Sequence, residues 1–157
     1  MEFSHSFHHD IQSYESTLFK HLSLQDSLIL ITVCAANIEE KCCRNDVKRI
    51  TDLAQSHPLF KEEPKVTTKR INWFSNMMIN KDCGNAIDFA VRTLTPELKE
   101  TVFDWAVEII ISKNRLTKEK RSFLEKLLMK LSIDKNAAER VIEGNILEPD
   151  EASTREG

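Results

Sequence analysis

The stretch TPELKETVFDWAVEIIISKNRLTKEKRSFLEKLLMKL, from Thr95 to Leu131, decides the fold. Thr95 suits an N-cap, where its hydroxyl accepts from an otherwise orphan N–H of the first turn. Pro96 suits the first helical position, which needs no donor and wants the φ that proline already has. Glu97 and Glu100 lie near the positive end of the helix dipole. Leu98, Val102, Trp105 and Ile109 recur at spacings of four, three and four, and Ala106 and Ile110 widen the stripe into a broad apolar face. Ser112, Lys113, Asn114 and Arg115 break that pattern and put cations near the helix C-terminus. Thr117 is the next N-cap, Glu119 follows in the first turn, and Phe123, Leu124, Leu127, Leu128 and Leu131 form a second stripe. So short a connection makes the two helices antiparallel neighbours.

Working outward, the segment Leu24 to Ile38 is apolar nearly all round, which marks a central helix buried on several sides and capped by Ser23 or Asp26. A polar turn runs from Asn37 to Arg44. Asn45 or Asp46 then begins a short helix with Val47, Ile50, Leu53 and Ala54 inward, ended by His57-Pro58. Leu59 and Phe60 dock as an apolar tail, and Lys61 to Lys65 read as a charged linker. Thr67 or Thr68 starts the next helix, with Ile71, Phe74 and Met78 on one face. Cys83-Gly84 reads as a break before a helix with Ile87, Ala90, Val91 and Leu94 inward. Asp134 caps a last helix with Ala137, Ala138, Val141 and Ile142 inward, ended at Gly144. At the N-terminus, His5, His8, His9 and Asp10 read as a polar arm rather than a metal grip, ahead of a first helix with Ile11, Tyr14, Leu18 and Phe19 inward.

The expected architecture is therefore all-α: one helical bundle of seven to eight helices over residues 1–147, followed by a disordered acidic tail, 148–157. A chain of 157 residues, 41% hydrophobic and 30% charged, suits one domain with a real core. Three glycines and four prolines fit helices better than a many-turned β fold. Twenty-two basic against 25 acidic residues give a formal charge of −3, a poor basis for non-specific nucleic-acid or membrane binding. The longest apolar run, Leu28 to Ala36, is shorter than the roughly 20 residues a membrane helix needs. Cys34, Cys42, Cys43 and Cys83 form no CxxC and follow no secretory signal, so they are expected as reduced thiols of a cytoplasmic protein.

The chain also echoes itself. Placing Ile50 on Leu124 and Leu53 on Leu127 aligns two units at an offset of 74 residues: a long apolar helix, a polar turn, an amphipathic helix and an apolar exit. In this arrangement the chain resembles the TerB-like tellurite-resistance family, whose pattern is an apolar helix ending in a small residue, an acidic turn, a Ser/Thr-capped helix and a further helix. Thr117, Glu119, Phe123, Leu124, Leu127, Leu131, Ile133, Asp134, Ala138, Val141 and Ile142 carry it in the second unit. Ala35, Ala36, Val47, Ile50 and the closing HPLF carry it in the first, so the resemblance spans roughly residues 24 to 143. It implies a non-enzymatic helical domain tied to tellurite or other chemical stress and acting through other proteins, with self-association left open. It also implies a metal held at the acidic turn. Here the second turn holds Lys113 and Arg115 where carboxylates would stand, so the alternative, a divalent-metal module, rests on Asn37, Glu39, Glu40 and Asp46 of the first. No cofactor beyond such a metal is expected.

Two other chemistries find little footing. Cys42, Cys43 or Cys83 could be a nucleophile with His57 as its base, yet no triad spacing joins them. Lys113, Arg115, Lys118, Lys120 and Arg121 could mark a DNA-reading hairpin, yet they alternate with acids and lie at helix ends, where the dipole accounts for them.

Overall fold

The computed structural model describes Phe19 and residues 21–113 and 116–144. These form seven helices and no strand. They are α1 (Leu24–Ala36), α2 (Arg44–Gln55), α3 (Pro64–Met78), α4 (Cys83–Thr93), α5 (Pro96–Lys113), α6 (Lys118–Leu131) and α7 (135–144). The expected all-α bundle is what the chain forms. The N-terminal histidines, the inward residues Ile11, Tyr14 and Leu18, the turn residues Asn114 and Arg115, and the acidic tail lie outside the described residues. Phe19 does pack on the core, with its ring 6.2 Å from that of Phe89.

α1 is the axis. Ser23 caps it, its hydroxyl accepting from Asp26 N–H at 3.0 Å. Every residue from Ser27 to Ala36 is buried. The polar members of that run are satisfied: Thr32 Oγ1 donates to Leu28 C=O at 2.8 Å, and the Ser27 and Thr93 hydroxyls share a 2.7 Å bond. α3, α4 and α5 all lie against α1. The Ser27–Thr93 bond puts the end of α4 at the start of α1, so α4 runs antiparallel to it. α5 begins three residues later and ends with Lys113 against Ala36, so it runs alongside α1 in the same direction.

α5 is buried more widely than its stripe predicts. Phe103 and Val107 join Leu98, Val102, Trp105, Ala106, Ile109 and Ile110 in the core, and α6 and α7 cover Phe103 on the face that α1 leaves open. Phe103 sits among Leu116, Leu124, Leu128, Ala138 and Ile142. Leu124, Leu127 and Leu131 of α6 are buried, whereas Phe123 and Leu128 are half-buried at its edge. α6 packs against α5 as the short connection requires.

Three helix starts differ from the sequence expectation. α2 begins at Arg44 with Cys43 as N-cap, and Asp46 is the third helical residue, its carboxylate accepting from Cys43 N–H at 2.8 Å. α3 begins at Pro64 rather than at Thr67 or Thr68, since proline takes the first helical position at no cost in hydrogen bonding. Thr67 is instead fully buried one turn in, where it accepts from Gln55 Nε2 at 2.8 Å and donates to Glu62 Oε2 at 2.9 Å. Cys83 and Gly84 are not a break but the first turn of α4, capped by Asp82, whose side chain accepts from Gly84 N–H at 3.0 Å.

Candidate functional site

The two turns that the sequence singles out meet in space at the common end of α1 and α5. Lys113, the last residue of α5, carries its ammonium into the first turn. Its Nζ lies 2.8 Å from Asp46 Oδ2, 2.5 Å from Ala36 C=O and 3.3 Å from Lys41 C=O. An ammonium has three N–H donors, and here three oxygens receive them. Both side chains are nine-tenths buried, at 8% and 5% exposure, so this is an internal ion pair whose remaining hydrogen-bonding capacity is met by backbone. The position is electrostatically apt as well, because Ala36 C=O is an end-of-helix carbonyl and carries the negative pole of α1.

Thr117 ties the second turn to the first. Its hydroxyl oxygen caps α6 by accepting from Lys120 N–H at 3.2 Å, and its O–H donates to Glu39 Oε1. Glu39 reaches that partner from a left-handed backbone, φ 67°, a region that non-glycine residues seldom enter. Asn37 closes α1 as its C-cap and accepts from Cys42 N–H through Oδ1 at 2.8 Å. Its Nδ2 is buried with no protein partner.

Asn37, Glu39, Glu40 and Asp46, the candidate metal set, are therefore neighbours along one turn with separate duties. Asp46 faces Lys113 and Cys43 N–H, Glu39 faces Thr117, Asn37 holds the turn, and Glu40 is exposed on the wall of a polar cleft of about 410 Å³ that it shares with Asp46 and Lys113. Among the described residues no three His, Cys, Asp or Glu side chains converge as a metal would require. Sequence reasoning places Lys113 as a cation that would repel a metal from its own turn. The structure places it in the other turn, where it supplies the positive charge that Asp46 faces.

The thiols separate in the same way. His57 Nδ1 accepts from Leu59 N–H at 3.2 Å, and the ring meets Trp105 edge-on at 6.0 Å. Burial pushes the Cys42 pKa up to about 11, against a smaller lowering effect of Ser75. Cys83 is the exception, because it lines the same cleft as Cys34 at the α1–α4 contact, where each thiol shifts the other's pKa. Nothing local in the sequence signals this pairing. Cys34 reads as core and is core, at 1% exposure, while Cys83 opens onto two adjoining clefts of about 500 and 350 Å³. Those clefts share Ile38, Lys81, Cys83 and Phe123.

Elsewhere, Arg70 of α3 bridges Asp26 at the start of α1 and Glu62, with its nitrogen 2.7 Å from Glu62 Oε1. The two hydrogen-bonded carboxylates raise its pKa further against an opposing effect of burial, so this is a fixed strut. Among the described residues no helix is long and apolar enough to cross a membrane. Comparison with protein-family models, with known proteins and with solved structures returns no match for this chain.

Proposed function

We propose that this chain is a non-catalytic, TerB-like helical domain of a tellurite or chemical stress response, acting through contacts with other proteins. The observation that supports this reading best is the pair of links at the junction of the two turns. Lys113 holds Asp46 and the Ala36 and Lys41 carbonyls, and Thr117 separately holds Glu39, so charged groups at the position the family uses for metal tie two helical units together. A rigid helical surface held by such a lock suits recognition, where a preformed face lowers the ordering cost of binding.

The test is in vivo cross-linking of the tagged full chain in source cells with and without tellurite, together with the tellurite tolerance of cells lacking it. The expected result is a defined partner recovered reciprocally from either side, and a tolerance that falls on deletion and returns with the gene. Unchanged tolerance with no reciprocal partner, or turnover of a small molecule by the purified chain, would overturn it.

A further inference from the structure

We propose that Cys34 and Cys83 form a redox-active thiol pair, at which hydrogen peroxide oxidises the chain to an intramolecular disulfide. Because α4 runs antiparallel to α1 and packs on it, its first residue lies beside the last turn of α1, and the two thiols are close enough to influence each other's ionisation. Both thiols line the smaller cleft. Cys83 alone lines the larger one as well, and it is only half-buried, so a small polar oxidant reaches it directly. Cys34 stands deeper, at 1% exposure.

The two sulfurs are unequal in a way that assigns their roles. Cys83 occupies the first helical position of α4, where backbone N–H groups and the helix dipole favour a thiolate. Interaction with the Cys34 thiol lowers its pKa from the ordinary value, against the opposing effects of partial burial and of the Asp82 carboxylate. Cys34 goes the other way. Burial, then its interaction with Cys83, pushes its pKa well up, so it keeps its proton. Cys83 is thus the attacking sulfur and Cys34 the resolving one.

The chemistry closes on two electrons. The Cys83 thiolate attacks one peroxide oxygen, an S–O bond forms, the O–O bond breaks, and the departing hydroxide takes a proton and leaves as water. The Cys34 sulfur then attacks the Cys83 sulfenic sulfur, the S–S bond forms as the S–O bond breaks, and the Cys34 proton leaves with that hydroxide as a second water. Two thiols are oxidised and one peroxide is reduced. The product ties the start of α4 to the end of α1 and fixes the wall that the two clefts share. The pair stands apart from the reading of the domain as a protein-contact module, because neither cysteine belongs to the Lys113 junction.

The experiment treats the reduced full chain with hydrogen peroxide, blocks the remaining thiols by alkylation, and combines intact mass with peptide mapping under non-reducing conditions. The expected result is loss of two hydrogen atoms, a peptide linking Cys34 to Cys83, and reversal by dithiothreitol, with Cys42 alkylated. In a Cys34→Ala variant, dimedone should trap a sulfenic acid at Cys83. The wild-type map decides the matter even if that variant does not fold. Recovery of Cys34 and Cys83 as alkylated thiols, a bond between any other pair, or Cys83 driven to sulfinic acid while Cys34 stays a thiol would overturn the proposal.

Discussion

At the scale of single residues, Lys113 carries the clearest consequence. Removing its ammonium leaves Asp46 charged and nine-tenths buried, with two carbonyls also unpaired. Breaking a buried pair from one side costs about 3–5 kcal/mol, so Lys113→Met should lower the unfolding free energy measured in urea by that much. Adding Asp46→Leu removes the orphaned charge. The double variant should recover most of the loss, short of about 1 kcal/mol for the Cys43 N–H that Asp46 also accepts. A double variant less stable than Lys113→Met would show that the ion pair is not what the junction depends on. Glu108 makes a smaller and opposite statement. Partial burial raises its pKa, Asp104 adds to the rise, and Arg49 opposes it. Its charged form is therefore disfavoured in the folded state and costs stability at pH above the folded pKa. Below the ordinary carboxylate range both states hold the proton and the cost is gone. Glu108→Gln should raise stability at about pH 7 by a few tenths of a kcal/mol, given how exposed the group is, and change nothing at about pH 3. Equal effects at both pH values in urea titrations would rule out this origin.

At the scale of the helix, α6 shows two ends of unequal quality. Its N-terminus is capped by Thr117, and Thr117→Ala should cost about 1 kcal/mol through the lost bond to Lys120 N–H. Its C-terminus closes on Ser132 in the left-handed region, at φ 54° and ψ 40°, where a side chain is strained and glycine is not. Ser132→Gly should therefore stabilise by about 0.5–1 kcal/mol, an uncommon sign for a helix-end change. Thermal unfolding of the two variants checks both, and a destabilised Ser132→Gly would mean that the serine side chain contributes something the cap geometry does not show. The same scale explains the misplaced helix starts. Cys43, Pro64 and Asp82 begin helices for reasons of capping and fixed φ that a stripe of apolar residues does not register, because the first turn of a helix is mostly solvent-facing.

At the scale of the whole molecule, one contiguous core runs from Leu22 to Ala138 and joins every helix. With α1 surrounded by α3, α4 and α5, none of those three can leave without exposing it, and α6 packs in turn on α5 and α4. Unfolding in urea should therefore be a single transition, with far-UV circular dichroism and the fluorescence of buried Trp105 coincident, the Trp73→Phe background removing the half-exposed second indole. Separate midpoints for the two probes would divide the bundle into independent parts.

The amino-acid sequence alone determined the helices and their inward faces. Capping, proline placement and apolar spacing act within about four residues along the chain, the reach of one helical turn. It also marked the two turns as special, through the small residues and charges at Ala36 to Glu40 and at Ser112 to Thr117. What it could not determine was that these turns touch. Lys113 finds Ala36 across 77 residues, and Thr117 finds Glu39 across 78. Cys34 meets Cys83 only because α4 returns along α1. Those pairings depend on the relative direction and depth of packed helices, which are set by how many side chains share one core, so tertiary structure alone decided them.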